Sequence, residues 1–593
     1  MRAARTCRTG RCRWGAFLAL PLLLAASAAA VEVAEVRWGF DGSVVPERIG
    51  VLSLLLTNAE ATAYDGVVTL HRTDGLGSRL GATHVEPCFV APFTSRWVQF
   101  HPYVARGDEE WIVTLGKQQT RLRGPALGAP AAVCLRAPDD PFQRPGGLRS
   151  LPDNLFPTTL SATDGLASLV MDYAPLWEQP RRQALLDWLR RGGRLYLLRG
   201  QDGGYPGFAG ELSVLNDPAR RFRVGAGLVV RGDGARDKTD GVTLADAGLG
   251  PPVLESGDRA SMWTLEDAVF QELGGLVRPE HNWTVIYISL ALYMLLVSPI
   301  NYIIGRKKAG FLRATLFFVA AVAGFAVLLS TLGRRGYGET SAVHSVSYAR
   351  SLGGSAYDVT QWVNVFVRDG DYYKLTHQGD HNLYATCQGF ERVNGVIRNG
   401  RQGEFLVDIP LFSSRSFLYR GKLEGPDLGV KVVRWGQEDG AEKVMLSTGE
   451  GFPLDVAEIW AFRDGRFYHT FHAGGRIGTT LDGGSDISSF LSKERLQLGE
   501  PYLHGYGSRG GGGDKDPERA LRGQMRTLIA RAIGGTKDFR YYLGGSREGK
   551  DHVQLFIYAN MPGTFAVAGR DLGREVGYVL YHLDVFKPEE ADG

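Results

Sequence analysis

The sequence predicts a multidomain membrane protein that is mostly β, with one α/β domain and two transmembrane helices. Three observations lead to this fold class. The chain has 593 residues, which is enough for about three or four domains. Two long apolar runs lie in mid-chain, at 283–304 and 311–332. The 78 glycines are spread between short runs of alternating apolar and polar residues, a pattern typical of tight turns that join β-strands.

Residues 1–30 are predicted to be a signal peptide that is cleaved. Five arginines and no acidic residue are followed by the apolar run Ala16–Leu24, and small residues then suit cleavage before Val31. That run is shorter than the ~20 residues that a membrane span needs, although an uncleaved anchor is the alternative. We therefore expect the segment that follows to be exported, as in a periplasmic domain.

The charge balance argues against a nucleic-acid partner. The net charge is +3, and removal of the five arginines in residues 1–30 leaves a chain of −2. A protein that binds nucleic acid needs a basic surface to neutralise phosphates. The expected partners are therefore the membrane lipid bilayer and proteins of the cell envelope.

Three cysteines follow the predicted signal peptide, namely Cys88, Cys134 and Cys387. Outside the cytoplasm Cys88 and Cys134 could form a disulfide, and a buried thiol at each position is the alternative. The sequence contains no C-x-x-C motif, so we predict neither a redox pair nor a zinc knuckle.

Residues 31–125 are predicted to form an Ig-like β-sandwich. Short segments alternate apolar and polar residues, as expected for strands with one buried face, and turns such as Asp41-Gly42 separate them. The segments are Val31–Val36, Ile49–Leu56, Val67–Leu70, Trp97–Phe100 and Trp111–Leu115. Modules of this kind more often bind or space than catalyse.

Residues 126–255 change in character and predict an α/β, Rossmann-like domain. Leu166–Asp172 has the composition of a buried strand, and Pro180 suits the first turn of a helix. An apolar stripe follows, and Gly192-Gly193 suits the left-handed end of that helix. Arg194–Leu198 then resumes as a strand. This strand–helix–strand order indicates a parallel sheet covered by helices.

A linker at 256–282 leads to a predicted transmembrane hairpin at 283–332. The two apolar runs, Trp283–Ile304 and Phe311–Leu332, flank the cationic connector Gly305–Gly310. The positive-inside rule places that connector in the cytoplasm and both flanking domains outside. Neither run contains Asp, Glu, Lys or His, which favours a tether over an ion pathway.

Residues 333–593 are predicted to form an extracytoplasmic β-rich domain with one helix. Strand patterns recur there, with turns such as Asp464-Gly465 between them. They are Val363–Arg368, Gly403–Ile409, Val430–Trp435, Glu458–Phe462 and His552–Ala559. Asp516 and Pro517 suit the start of the helix, whose apolar stripe runs from Leu521 to Ala532.

Two stretches of sequence resemble a known group of proteins. Leu169–Gly200, LVMDYAPLWEQPRRQALLDWLRRGGRLYLLRG, resembles the class I glutamine-amidotransferase-like domain of uncharacterised bacterial envelope membrane proteins. Leu292–Lys308, LYMLLVSPINYIIGRKK, is similar to the membrane hairpin that follows that domain in them. The resemblance implies an Ig-like domain, an amidotransferase-like domain and a hairpin in that order, and an association with MoxR-type ATPases and von Willebrand A proteins.

The residues that amidotransferase chemistry needs are missing from this sequence. Such an enzyme places a Cys nucleophile on the turn after a sheet strand, with His and Glu nearby. Here the turn after Leu198 contains no Cys, Ser or His, and no His lies between His101 and His281. We therefore predict no catalytic residue and no cofactor. The same turn is still a candidate ligand-binding loop, formed by Gly200, Gln201, Asp202, Gly203, Gly204 and Tyr205.

Weaker motifs do not indicate a metal or phosphate site. His377 and His381 are four residues apart, but Gln378-Gly379-Asp380 between them is typical of a turn rather than of a helix. The glycine-rich segment Gly507–Gly513 lacks the Lys-Ser or Lys-Thr pair of a phosphate loop. We predict no metal ligand.

The leading functional hypothesis is a non-catalytic, membrane-anchored envelope protein that binds or organises partners outside the cytoplasm. One alternative is a sensor, in which the degenerate amidotransferase-like domain binds a small ligand. The other is a hydrolase whose catalytic residues are dispersed in the sequence. A bare pocket near the 200–205 loop would favour the sensor, and a cluster of acids or histidines around a pocket would favour the enzyme.

Overall fold

We describe the fold from a computed structural model. It describes residues 31–74, 76–137, 148–200, 202–234, 236–250, 265–276, 283–306, 310–336, 341–389, 391–486, 489–490, 525, 528–529, 551–573 and 575–588. The predicted signal peptide and the segment Gly507–Gly513 lie outside these residues, as does the start of the predicted C-terminal helix at Asp516. Of that helix, Met525, Leu528 and Ile529 are described, and they are helical and buried.

The chain is multidomain and mostly β, as predicted. The strands before the membrane helices are β1 (Val31–Trp38), β2 (Ser43–Val44), β3 (Arg48–Ile49), β4 (Leu52–Asn58), β5 (Tyr64–Thr73), β6 (Arg79–Val90), β7 (Ser95–Phe100), β8 (Tyr103–Val104), β9 (Glu110–Leu115), β10 (Gln118–Leu122), β11 (Ala126–Leu127), β12 (Ala131–Arg136), β13 (Arg149–Pro152), β14 (Leu166–Met171), β15 (Arg194–Leu198), β16 (Arg221–Val224) and β17 (Gly227–Gly232). The helices are α1 (Gln179–Arg190), α2 (Gly241–Asp246), α3 (Leu265–Gly275), α4 (Trp283–Leu295), α5 (Asn301–Gly305) and α6 (Gly310–Gly336).

The strands after the membrane helices complete the fold. They are β18 (Ala342–Gly353), β19 (Ala356–Val367), β20 (Asp371–Leu375), β21 (Asp380–Ala385), β22 (Arg392–Arg398), β23 (Glu404–Ile409), β24 (Ser413–Glu424), β25 (Lys431–Glu438), β26 (Ala441–Ser447), β27 (Glu458–Arg463), β28 (Arg466–Ala473), β29 (Arg476–Thr480), β30 (Ser485–Asp486), β31 (His552–Asn560) and β32 (Glu575–Phe586). Each predicted C-terminal strand overlaps one of these.

Two sheets pack against each other in the N-terminal part. One has the strand order β1-β4-β7, and the other begins β10-β9-β5-β6. Their apolar side chains share one core, to which Leu54 of β4, Val68 of β5 and Val113 of β9 contribute with no solvent exposure. The alternating pattern in the sequence reflects this arrangement, because each strand turns one face to that core.

The second N-terminal sheet continues into strands that follow the membrane helices. β6 pairs in parallel with β22, and β23 and β20 extend the sheet to seven strands. The backbone N–H of Gly81 donates to the carbonyl of Glu391 at 2.8 Å, and that of Ala82 donates to Thr386 Oγ1 at 2.9 Å. One sheet therefore joins segments from both sides of the hairpin.

A six-stranded sheet lies between these parts in the sequence, in the order β13-β12-β14-β15-β17-β16. All its pairs are parallel except that of β16 with β17. The predicted strand–helix–strand unit is present as β14–α1–β15. Pro180 lies in the first turn of α1, and Gly192 follows its end with a φ of +115°. The local signals for this unit were thus sufficient.

Among the described residues, two helices are long and apolar enough to cross a membrane, at Thr284–Gly305 and Gly310–Ser330. Almost none of either helix is buried inside the protein, as expected for lipid-facing surfaces. A π-helical turn at Leu296–Ile300 surrounds Pro299, which removes a backbone donor from the first helix. Before the hairpin, α3 buries Glu266, which accepts a hydrogen bond from Tyr103 Oη at 2.7 Å.

The C-terminal part forms a sheet of 12 strands. Two of its side chains join two from the six-stranded part in a closed set of ion pairs, which we call the Arg–Asp ring: Asp164, Arg191, Asp358 and Arg420. Arg420 donates to Asp164 at 2.6 Å and to Asp358 at 2.9 Å, while Arg191 donates to the same two carboxylates at 2.7 and 3.1 Å. Two members precede the hairpin and two follow it.

Candidate functional site

The predicted ligand loop lies at the carboxyl end of β15, where parallel sheets commonly bind ligands. The N–H of Gly200 donates to the carbonyl of Gly204 at 2.8 Å, and the N–H of Gly203 donates to that of Gly200 at 3.0 Å. Gly203 has a φ of +80°, which disfavours any side chain there. Asp202 Oδ1 accepts from the N–H of Gly204 at 3.1 Å, and Gln201 lies outside the described residues. The loop is therefore a compact turn that fixes its own backbone.

Side chains from neighbouring strands hold Tyr205 in place. Its hydroxyl donates to Asp233 Oδ1 at 3.1 Å, and Arg199 donates to the same oxygen at 3.0 Å. The guanidinium carbons of Arg199 and Arg231 lie 4.9 and 5.0 Å from the centre of the Tyr205 ring. Hydrogen bonds from Arg199 and Tyr205 lower the pKa of Asp233, so this exposed carboxylate stays ionised.

A second polar group lies further along the same edge of the sheet. Asp172 directly follows β14, and its Oδ1 accepts a hydrogen bond from Arg236 at 2.9 Å. Tyr173 donates to Asp153 Oδ2 at 3.1 Å, and burial, followed by the charge of Asp153, raises the pKa of Tyr173. These groups satisfy one another in pairs. The edge thus presents charge and aromatic surface, and it contains no Cys, Ser or His among the described residues of the 199–205 turn.

Sequence reasoning identified the loop but missed the residues that hold it. Asp172 and Asp233 each follow directly on a strand of the parallel sheet, and Arg199 follows β15. That position was the available signal, because the carboxyl ends of parallel strands meet at one edge. This signal does not identify Asp233 from the sequence alone, because the sequence analysis does not predict the strand β17 that Asp233 follows.

The two histidines considered as metal ligands have separate environments. His377 is buried, and its ring nitrogens lie 2.9 Å from Gln361 Oε1 and 3.0 Å from Tyr384 Oη. It stacks on Tyr419 with ring centres 3.6 Å apart, and burial lowers its pKa to about 3. His381 lies within β21 and has a φ of +56°, where the pairing of that strand with β24 shifts register. Among the described residues no three His, Cys, Asp or Glu side chains are placed to hold a metal ion.

The C-terminal sheet contains a buried polar cluster that the sequence did not lead us to predict. Asp584 accepts from Arg350 at 3.0 Å and lies 3.0 Å from the Nε2 of His552. His582 Nδ1 lies 2.6 Å from the hydroxyl of Tyr348. Burial would raise the pKa of Asp584, but Arg350 and the two histidines outweigh burial and hold that pKa well below its usual range. The cluster is packed inside the protein, and the alternation His582-x-Asp584 was its only signal.

No family model and no curated protein sequence matches the chain. Solved structures give weak matches. An M1 zinc metallopeptidase from Deinococcus radiodurans is 15% identical, with 23% of this chain and 37% of that chain covered and a TM-score of 0.11. A cycloisomaltooligosaccharide glucanotransferase from Paenibacillus sp. is 8% identical, with 77% and 98% covered and a TM-score of 0.15.

A β-glucuronidase of glycoside hydrolase family 2 is 9% identical, with 97% of this chain and 63% of that chain covered and a TM-score of 0.13. The chain spans less than half the length of the peptidase structures that it matches. TM-scores this low establish no common fold, so these likenesses give no information about the function of this chain.

Proposed function

We propose that this protein is a non-catalytic, membrane-anchored scaffold that binds or organises partner proteins outside the cytoplasm. The observation that carries the proposal is the Arg–Asp ring together with the β6–β22 pairing. Both join the segment before the hairpin to the segment after it. Such a body suits the presentation of several surfaces in a fixed arrangement.

The energetics of the ring favour one rigid body over separate modules. The side chains of Arg420 and Asp358 are each 6% exposed, and that of Asp164 is 8% exposed. Burial would raise the pKa of Asp164, but the charges of Arg420 and Arg191 outweigh it and lower that pKa. Separating the two segments would break the two ion pairs that cross between them, Arg420–Asp164 and Arg191–Asp358, and would leave each segment with one Arg–Asp pair.

The same contacts support the predicted topology. Two segments can share a sheet and a buried ion-pair ring only if both lie on the same side of the membrane. Two crossings between them, at Thr284–Gly305 and Gly310–Ser330, return the chain to the side that it left. With the cationic connector in the cytoplasm, both segments are then extracytoplasmic.

The six-stranded sheet is, in this proposal, a degenerate amidotransferase-like domain. The β14–α1–β15 unit, with parallel neighbours on both sides, supports this assignment. The turn at Gly200–Tyr205 carries a ring held between two guanidinium groups where the enzyme would place its nucleophile. Binding without bond cleavage is the chemistry that such a surface supports.

Crosslinking from native membranes tests the scaffold function. The tagged full-length chain is crosslinked in cells, purified, and its partners are identified by mass spectrometry. We expect a reproducible set of envelope proteins that is reduced by Arg420→Ala, which loosens the body, and unchanged by Arg570→Ala, which alters an ion pair that is largely exposed. Recovery of the same background from both variants and from untagged cells would refute a scaffold role.

A further inference from the structure

A cleft opens between two strand edges in the N-terminal part. β1 is the outer strand of the three-stranded sheet, and β10 is the outer strand of the seven-stranded sheet. Within 31–74 and 76–137, no backbone hydrogen bond joins β1 to β10. The space between them, which we call the edge cleft, has a volume of about 450 Å³, within the range of about 300–1,000 Å³ typical of ligand-binding clefts.

One end of the edge cleft is closed by direct contacts. The indole Nε1 of Trp38, at the end of β1, donates to the carbonyl of Arg123 at 3.3 Å. Beyond it, β2 pairs in parallel with β11, with Ser43 beside Ala126. The two strand edges are therefore held together at this end and separate from it onwards, leaving a slot rather than a flat surface.

The lining of the edge cleft is apolar with two positive charges. Val33, Val36 and Trp38 line it from β1, and Leu122 lies on the opposite side. Val36 is 38% exposed. The charged residues that line it are Arg121 and Arg123, both exposed, and the lining contains no acidic side chain. Arg121 also pairs with Glu110 of β9, which lies outside the lining, so among the described residues Arg123 is the lining cation without a carboxylate partner in an ion pair.

Both strands lack two of the residue types that often protect a free edge, Lys and Pro. An edge strand presents unpaired N–H and C=O groups to any further strand, and proteins block such edges with Lys, Pro or bulges. β1 and β10 contain no Lys and no Pro. β1 has a bulge between Val33 and Glu35, but Glu35–Trp38 runs in regular register with β4. Within the part of the chain that the structure describes, no strand pairs with the outer edge of β1 along Glu35–Trp38.

We propose that the edge cleft takes up an acidic, extended segment of a partner protein, which adds as a strand beside β1. This inference rests on the proposed scaffold function and names where a partner is held. Backbone hydrogen bonds to β1 supply affinity, because the added strand pairs its own N–H and C=O groups with those on the outer edge of β1. Alternate apolar side chains of the segment pack on Val36 and Trp38, and the acidic ones between them meet Arg121 and Arg123.

Peptide binding to the full-length chain in lipid nanodiscs tests the proposal. The probes are fluorescent peptides of about nine residues that alternate Val with Glu, the same peptide with Lys in place of Glu, and the Glu peptide interrupted by Pro. We expect saturable anisotropy changes with the Glu peptide, at least about tenfold weaker binding of the Lys peptide because of like-charge repulsion, and none with the Pro peptide.

Charge reversal provides the decisive comparison. In the double variant Arg121→Glu/Arg123→Glu we expect the preference to switch to the Lys peptide, and Arg123→Glu alone should weaken the Glu peptide by several-fold. Arg570→Glu, at a remote exposed position, is the matched control and should leave binding unchanged. Failure of any peptide to bind saturably, or binding that ignores both peptide charge and the reversal, would overturn the proposal.

The crosslinking experiment separates this inference from the scaffold function. If the same envelope partners are recovered from the unchanged chain and from Arg121→Glu/Arg123→Glu, the scaffold stands and the edge cleft is not its binding site. If the Glu peptide binds but no partner is recovered, the strand-addition site stands and the scaffold function fails.

Discussion

At the scale of single residues, Arg420 joins the two segments by pairing with a carboxylate from each of them. It donates to both carboxylates of the Arg–Asp ring and is 6% exposed. Arg420→Ala leaves the two buried carboxylates of Asp164 and Asp358 with only Arg191 in the ring, so one negative charge is uncompensated and we expect a loss of about 3–5 kcal/mol. The readout is the temperature at which the buried thiols of Cys88, Cys134 and Cys387 become reactive, which should fall clearly.

The control for Arg420 is Arg570, whose pair with Asp571 is largely exposed. Exposed ion pairs contribute little, so Arg570→Ala should leave that temperature unchanged. Equal effects of the two substitutions would contradict the role assigned to the ring.

Acid sensitivity is expected from His101, whose two ring nitrogens are buried without a hydrogen-bond partner among the described residues. Burial, followed by the charge of His381, lowers the pKa of His101 from 6.5 to about 4. The unfolded chain then binds the proton more readily, so this contribution to stability is complete above about pH 6.5 and is lost as pH falls towards 4.

His101→Phe should therefore keep the protein folded to lower pH, by a few tenths of a unit or more in the acid midpoint of tryptophan fluorescence. His472→Phe, at an exposed histidine, is the control and should not shift that midpoint. Burial raises the pKa of Glu86 to about 8, which acts in the opposite direction, so each variant is compared with the unchanged chain at every pH. An unchanged midpoint for His101→Phe would refute the assignment.

The position of the candidate ligand loop could be predicted from the sequence, but the side chains around it could not. Gly200–Tyr205 could be located because a Gly-rich turn after a predicted strand is a local signal. Arg231 of β17 and Asp233, which directly follows it, complete the surroundings of the loop, but the short and partly polar sequence of that strand gave no clear pattern. Their contribution depends on a parallel neighbour that only the folded sheet supplies.

At the scale of elements, the turn that follows α1 packs tightly against a side chain of that helix. A Cβ at Gly193 would lie 2.4 Å from the indole ring of Trp188, which is buried and donates to the carbonyl of Leu166 at 3.1 Å. Gly193→Ala must displace that ring, at a cost of about 1–3 kcal/mol. Urea denaturation followed by tryptophan fluorescence should show an earlier transition.

Gly241, in the first turn of α2, has open space around its Cα and provides the comparison. Gly241→Ala should be neutral or stabilising by up to about 1 kcal/mol, since alanine favours a helix over glycine. A Gly193→Ala variant as stable as Gly241→Ala would show that the Trp188 ring has room to move.

Elements with local signals could be predicted, and pairings between distant elements could not. The hydrophobic period, Pro180 and Gly192 together were enough to predict the β14–α1–β15 unit from sequence. No local sequence pattern predicts the pairing of β6 with β22 or the contact of Asp164 with Arg420. In the sequence, each partner has the pattern of an ordinary strand or surface residue. Long-range pairing is set by the global fold rather than by local propensity.

For the whole molecule, the proposed topology can be tested by labelling added cysteines in intact cells. Leu76 precedes the hairpin and Leu454 follows it, and both are fully or almost fully exposed. We expect Leu76→Cys and Leu454→Cys to react with a membrane-impermeant maleimide, because both lie outside. Lys307→Cys, in the cationic connector, should react only after lysis.

Cys88, Cys134 and Cys387, the cysteines among the described residues, are buried, so the unchanged protein gives the background. Reaction of Leu76→Cys alone would place the two segments on opposite sides of the membrane. That result is incompatible with a shared sheet.

The seven-stranded sheet also imposes an order on biosynthesis. Ala82 of β6 and its partner Thr386 are 304 positions apart in the chain, with both membrane crossings between them. At ~5–20 residues per second, the ribosome needs about 15–60 s to make that stretch. During this interval β6 has already been synthesised while its neighbour β22 does not yet exist. Throughout that interval one edge of β6 lacks its neighbour and is open to pairing with another chain.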